Sequence, residues 1–185
     1  MKIEMNIANK ITIGRIIAIP LFIIVIYIDK SWSNTLACII FAIASFSDML
    51  DGYFARKYHL VSDFGKVMDP MADKILVAGA MIALVELDRL DGWIVIVMLA
   101  RDFIIGALRD LSSSKGIIIP AGIWGKLKTS VQMLAVGMLT FKSYFIGVDW
   151  LSVGTYVMYV ALILSIYSGY VYIKQYLFSN KGLVE

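Results

Sequence analysis

Six apolar segments punctuated by charge divide the chain. They span residues 11–28, 36–46, 67–87, 93–108, 127–141 and 151–178, the last being the longest. The first carries Arg15 and Pro20 inside it, and the second stops short at Asp48. Asp69, Asp73 and Lys74 crowd the start of the third, and Arg101 and Asp102 interrupt the fourth. A transmembrane helix needs about 20 residues. Several runs are shorter, so the missing length must come from charged flanks, which puts the charged motifs at membrane depth or at its rim. Trp32, Trp93, Trp150 and Tyr176 fall near segment ends, as an interfacial aromatic belt requires. The pattern predicts an all-α integral membrane protein of six transmembrane helices, with loops at 29–34, 57–63, 88–92, 112–125 and 142–150. Ahead of the first span, Ile3, Ile7 and Ile11 recur at helical spacing beside Lys2 and Lys10. This short amphipathic segment reads either as a helix lying in the interface or as a plain topogenic tail.

Composition strengthens the membrane reading. Of 185 residues, 60% are hydrophobic and 17% charged, and the mean hydropathy is +0.81. A soluble domain this small leaves about a third of its unfolded surface exposed, too much for so apolar a chain to cover with polar groups. The length predicts a single domain over residues 1–185. The first apolar run lacks a small-x-small cleavage site and is expected to stay as a helix. Cys38 is the only cysteine, which excludes an intrachain disulfide, and its apolar setting predicts an inert buried thiol. No basic stretch is interleaved with aromatics, which argues against nucleic acid. The net charge of +3 matters less than its distribution. With six spans, only Lys30, Arg89 and Lys142 of the seventeen Lys and Arg residues fall on one side. The positive-inside rule makes the other side cytoplasmic.

That cytoplasmic side holds the chemistry. Asp48 and Asp51 are three residues apart, about 60° around a helix, and Asp69 and Asp73 are four apart, about 40°. Each pair projects from one helix face, and a short basic loop joins the two helices. Folding that loop brings four carboxylates together. Like charges at a bilayer rim need cations. Arg56, Lys57, Lys66 and Lys74 are one possible source. Hard oxygen ligands in this number suit Mg²⁺ or Mn²⁺ better, and two bridged ions are a standard device of phosphoryl chemistry. Gly52 and Ala55 lack bulk, so a flat or phosphorylated ligand can approach the backbone. Arg56 can hold phosphate oxygens bidentately. Gly65 permits a sharp entry to the third helix, and Pro70 is tolerable only in its first turn. Asp63 falls outside the pattern as a loop or capping residue, and His59 reads as a solvated loop histidine.

The run Asp48-x2-Asp51-Gly52-x2-Ala55-Arg56-x8-Gly65-x3-Asp69-x3-Asp73 resembles the signature of the CDP-alcohol phosphatidyltransferase family. That resemblance implies a six-helix membrane enzyme, a homodimer, that moves a phosphatidyl group from CDP-diacylglycerol to an alcohol and releases CMP. It implies that Asp48, Asp51, Asp69 and Asp73 bind two divalent cations, Mg²⁺ or Mn²⁺, and that Asp73 is also the general base. Gly52, Ala55 and Arg56 would line the CDP site.

The remaining cations bear on the acceptor. Arg101 and Arg109 are eight residues apart, about 80° around a helix, so both can face one cavity. In "GKLKT", Lys126 and Lys128 are about 200° apart if helical, which does not favour both reaching one ligand. Four cations near one cytoplasmic pocket point to an anionic acceptor, against the alternative of topogenic charge at helix ends. The chain is also similar to the phosphatidylglycerophosphate synthase branch, through "NIANKITIGR", "DPMADK", Arg101-Asp102 with Arg109 following, "GKLKT" and the late "SGYVY" from Ser168. The branch carries Pro where this chain has Ala8, and often Glu where it has Asp102. By that resemblance Asn9 and Thr12 sit near the nucleotide diphosphate, and sn-glycerol 3-phosphate is the acceptor. The rival readings are a cardiolipin, phosphatidylserine or phosphatidylinositol-type synthase, or a divalent-cation transporter using the same carboxylates. A transporter needs a polar path beyond Asp73, and "KILVAGAMIALVE" offers none before Glu86. Asp69→Asn is expected to abolish turnover while the chain still inserts and folds, because one metal ligand is lost and apolar packing is untouched. Near-normal activity of the purified variant at limiting Mg²⁺ would exclude Asp69 as a ligand.

Overall fold

Each apolar run folds as a helix, and most overrun the limits that hydropathy alone would set. In the computed structural model, which describes residues 7–57, 63–114, 122–145 and 147–181, the order is α1 (Ile7–Ile26), α2 (Ser31–Lys57), α3 (Asp63–Glu86), α4 (Gly92–Ser114), α5 (Ile123–Phe141), β1 (Tyr144–Phe145), β2 (Val148–Asp149) and α6 (Trp150–Lys181). Side chains are described for residues 12–47, 68, 71–114, 122–144 and 147–178. The second apolar run ends at residue 46, yet its helix continues through Asp48 and Asp51 to Lys57. The charged flank thus supplies the missing length. Asp63 opens α3 instead of lying in a loop. The connection after α1 is shorter than the expected loop, since α2 already starts at Ser31. The stretch after α5 is not a plain loop. β1 and β2 form an antiparallel hairpin with Tyr144 opposite Asp149, turning at Gly147 with φ of 73°. The amphipathic segment at residues 1–6 and His59 lie outside the described residues.

One stretch among the described residues, Trp150–Phe178, is long and apolar enough by itself to cross a membrane. Thr12–Ile26 and Ser31–Ser47 are shorter apolar stretches. Phe22, Phe41, Leu76, Met98, Leu139 and Met158, one from each helix, meet in a single buried core. Large apolar side chains also cover the outside. Ile24, Ile43, Ile96, Phe103, Ile163 and Tyr170 are each more than half exposed. Gly154 lets α6 close onto α5, since a Cβ there would stand 3.0 Å from the Leu139 amide nitrogen.

The ends of α1, α3 and α5 share a device. Asp29, Asp88 and Lys142 follow these helices with φ of 46°, 54° and 38°. This is left-handed backbone, which Asp adopts more readily than most residues. Arg89, 4% exposed, ties the three ends together. Its Nη1 donates to the carbonyls of Leu139 (3.3 Å) and Thr140 (3.0 Å). These are carbonyls that the end of a helix leaves without partners, and a cation there suits the helix dipole. Its Nη2 donates to Asn34 Oδ1 at 2.8 Å and to Asp29. Lys142 Nζ donates to both oxygens of Asp29 at 3.3 Å.

Asp29 is the hub of this clasp. Burial raises its carboxyl pKa, but hydrogen bonds from Arg89, Lys142 and Asn34 outweigh that and hold it below the ordinary value. An acid depressed in this way adds stability above its unfolded pKa, and that stability is lost as pH falls through the folded value. Thermal stability in detergent is therefore expected to decline below about pH 4. Asp29→Asn should lower the melting temperature at pH 7 and flatten that acid limb. Identical pH profiles for the two proteins would show that Asp29 contributes nothing.

Candidate active site

Helical periodicity brings polar residues of four helices to one cleft of about 390 Å³. From α3 come Asp73, Val77 and Met81, and from α4 come Arg101, Ile105 and Arg109. Lys128 and Gln132 come from α5, and Ser168 and Tyr172 from α6. Most of these spacings are four residues, about 40° around the axis, so each set forms one stripe. Five cations (Lys74, Arg101, Arg109, Lys126, Lys128) and two carboxylates (Asp73, Asp102) line the cleft among the described residues. The excess of positive charge suits an anionic ligand.

The expected site residues, Thr12 apart, fall into two groups. Asp73, Arg101, Arg109, Lys126 and Lys128 line this one cleft. Lys126 and Lys128 both reach it despite facing apart on α5, but in different states. Lys126 is exposed, whereas Lys128 is 3% exposed and holds Asp102 through both carboxylate oxygens. Asn9, Asp48, Asp51, Gly52, Ala55, Arg56 and Asp69 lie on α1, α2 and α3, and their side chains are outside the described residues. The backbone is continuous helix through Asp48–Asp51 and through Asp69–Asp73, so the spacing within each pair is helical. Thr12 is fully buried on α1, one turn before the equally buried Arg15.

Arg101 crosses from α4 to α6. Its Nε donates to the Ser165 carbonyl at 3.0 Å, its Nη2 to Ser168 Oγ at 2.7 Å, and its Nη1 to Asp102 at 3.0 Å. Ser168 in turn donates to the Leu164 carbonyl at 2.7 Å. Gly169 makes room for this arm, since a Cβ there would lie 3.3 Å from Arg101 Cγ and Nε. One turn on, the Tyr172 ring lies 5.8 Å from the Arg109 guanidinium carbon, a cation–π contact. Ser168, Gly169 and Tyr172 thus seat both arginines. On α4, a Cβ on Gly106 would stand 3.3 Å from Nζ of Lys74 on α3, so its absence leaves space for that lysine. Gln132, 2% exposed, donates through Nε2 to Met81 Sδ at 3.2 Å.

Sequence reasoning assigned no site role to Asp102, Gln132, Ser168, Gly169 or Tyr172. Asp102 carried a usable signal, since a carboxylate within an apolar helix pairs with something. Its partner Lys128 stands 26 positions away on another helix, which no local pattern discloses.

Residues 5–167 match the model of the CDP-alcohol phosphatidyltransferase family. The chain is 39% identical to the CDP-diacylglycerol–glycerol-3-phosphate 3-phosphatidyltransferase of Rickettsia prowazekii over 175 residues, covering 94% of this chain and 97% of that protein. It is 35% identical to the protein of the same name from Bacillus subtilis, covering 92% and 94% of the two chains. For the one from Haemophilus influenzae the identity is 37%, over 97% and 95%.

Ser168→Ala is expected to strip Arg101 of one of its acceptors and leave donors unmet beside the cleft, lowering stability by about 1–3 kcal/mol. Exposed Ser130→Ala serves as the control with little effect. Thermal unfolding in detergent checks this, and equal melting temperatures for the two variants would refute it.

Proposed function

The chain belongs to the CDP-alcohol phosphatidyltransferase family, and from that membership we propose that it transfers the phosphatidyl group of CDP-diacylglycerol to sn-glycerol 3-phosphate, releasing CMP. The names of its relatives support the acceptor. The observation that carries it is the meeting of Asp73 with Arg101, Arg109, Lys126 and Lys128 on one cleft wall. A neutral or zwitterionic acceptor would need no such density of charge.

The six helices span the membrane with the cleft facing the cytoplasm, and the enzyme works as a homodimer. Exposed apolar side chains on every helix support the first point. Orientation is supported by the far-side clasp, where two of the three cations opposing the positive-inside bias, Arg89 and Lys142, are met by Asp29.

Chemically, Asp73 offers the cleft a carboxylate on a helix continuous with Asp69, and all-carboxylate donors suit a hard divalent ion. Asp48, Asp51, Asp69 and Asp73 would hold two such ions, Mg²⁺ or Mn²⁺, which when bound neutralise the diphosphate and the departing CMP. Asn9, Thr12, Gly52, Ala55 and Arg56 would bound the nucleotide. The acceptor hydroxyl attacks the phosphorus bearing diacylglycerol. A new P–O bond forms, the P–O bond to CMP breaks in line, and CMP leaves with that electron pair. Asp73 takes the hydroxyl proton. Arg109 and Lys126, at the cytoplasmic end of the cleft, fix the acceptor's phosphate, with Arg101 and Lys128 deeper.

The test is CMP release by purified protein in detergent with CDP-diacylglycerol and a panel of alcohols: glycerol 3-phosphate, inositol, serine and phosphatidylglycerol. Turnover with inositol or serine instead of glycerol 3-phosphate would overturn the acceptor and leave only the family. A charge-assisted contact is worth about 1.5–3 kcal/mol, roughly ten- to 150-fold in affinity. Arg109→Ala is therefore expected to raise the KM for glycerol 3-phosphate about tenfold or more, with that for CDP-diacylglycerol nearly unchanged. Arg109→Lys should rescue only in part, lacking the guanidinium fork. If both KM values rise together, Arg109 supports the donor or the fold instead.

A further inference from the structure

Arg101 and Lys128 stand on different helices, and a carboxylate lies between them. Asp102 Oδ1 and Oδ2 accept from Lys128 Nζ at 2.7 and 2.6 Å, and Oδ1 also accepts from Arg101 Nη1 at 3.0 Å. A buried ammonium requires an opposite charge, and Asp102 meets that requirement for Lys128. A guanidinium has five N–H donors and an ammonium three. Among the described residues, Arg101 commits three nitrogens to three acceptors on α4 and α6, and Lys128 directs its head at a single carboxylate. Each cation keeps donors beyond these contacts, and both residues line the cleft. Asp73, the proposed base, lines the same cleft as this ammonium.

We propose that Asp102 is a positioning residue for the anionic acceptor, clamping Arg101 of α4 and Lys128 of α5 into one preorganised cation pair on the cleft wall. The inference rests on the acceptor reading given above. Cations held in advance spare the acceptor the ordering of two long side chains on binding. The clamp also explains how Lys128 can be buried and yet ready for an anion: its charge is already met before any ligand arrives. Asp102 itself touches neither donor nor acceptor and acts through the two cations.

The experiment is steady-state CMP release at varied glycerol 3-phosphate and saturating CDP-diacylglycerol, then the reverse, with melting temperatures in parallel. Asp102→Asn keeps the shape and loses the charge. It is expected to raise the acceptor KM about tenfold or more, with the donor KM unmoved. Asp102→Glu, which retains the carboxylate, should recover most of the loss. In a Lys128→Gln background the effect of Asp102→Asn should shrink, because one of the cations it positions is gone. An unchanged acceptor KM overturns the proposal. So does a lowered one, which would make Asp102 a competitor of phosphate for the same cations, and so does an equal rise in both KM values with a fallen melting temperature. Should Asp102→Asn not fold, the double variant Asp102→Asn/Lys128→Gln leaves no uncompensated buried charge at position 128 and is compared with Lys128→Gln alone, so that any further change is due to Asp102 acting through Arg101. A raised acceptor KM at constant donor KM supports the clamp, and unchanged values overturn it. Wild type that ignores glycerol 3-phosphate overturns both this inference and the acceptor reading. Wild type that uses it alongside an indifferent Asp102→Asn fails the inference alone.

Discussion

A cation inside an apolar helix bundle must be met by an opposite charge, and this one requirement organises both ends of the molecule. Arg89 and Lys128 are each almost fully buried, and each is answered by a carboxylate from another helix or turn: Asp29 for Arg89, Asp102 for Lys128. Removing one partner from such a pair leaves a charge with no solvent and no counter-ion, which is far more damaging than losing an exposed pair. The helices are therefore coupled by electrostatics at their two ends and by apolar packing between them.

The two ends use that requirement differently. At the far end the guanidinium of Arg89 is bound up with two carbonyls of α5, Asn34 and Asp29. It fastens three helix ends, and its side chain is almost wholly withdrawn from solvent. At the other end Arg101 and Lys128 share Asp102 on the wall of an open cleft, with Arg109 resting on Tyr172 nearby. The first arrangement suits permanence. The second suits a site that holds its cations in place while leaving them able to meet a ligand.

The placement of carboxylates beside the most apolar segments follows from the substrate the protein is proposed to use. A donor that is half lipid and half nucleotide presents its diphosphate where hydrocarbon gives way to water. A helix such as α3, acidic and basic in its first turns and largely apolar after them, has the pattern that would bring its chemistry to such a boundary. Its stripe of Asp73, Val77 and Met81 passes from polar to apolar along one cleft wall.

Much of this was legible in the linear chain, because it is written at the period of a single helix. The six runs became six helices, and the spacing of Asp48 to Asp51 and of Asp69 to Asp73 survives as continuous helix. Arg101 and Arg109, eight apart, do line a common cleft. The gathering of Arg101, Arg109 and Lys126 from two helices around one cleft was also legible, but the specific side-chain pairings between elements were not. Nothing local joins Asp102 to Lys128, Arg101 to Ser168 or Arg89 to Asp29, since their separations of 26, 67 and 60 residues exceed any helical repeat. The hairpin at Tyr144–Asp149 escaped because its strands are two residues long, too short for an alternation to register. Hydropathy and spacing act within a segment and so settled which segments are helical and which face of each carries charge. Which charge meets which is settled only when helices pack, because burial is what makes an unpaired ion intolerable, and burial does not exist until the tertiary structure does.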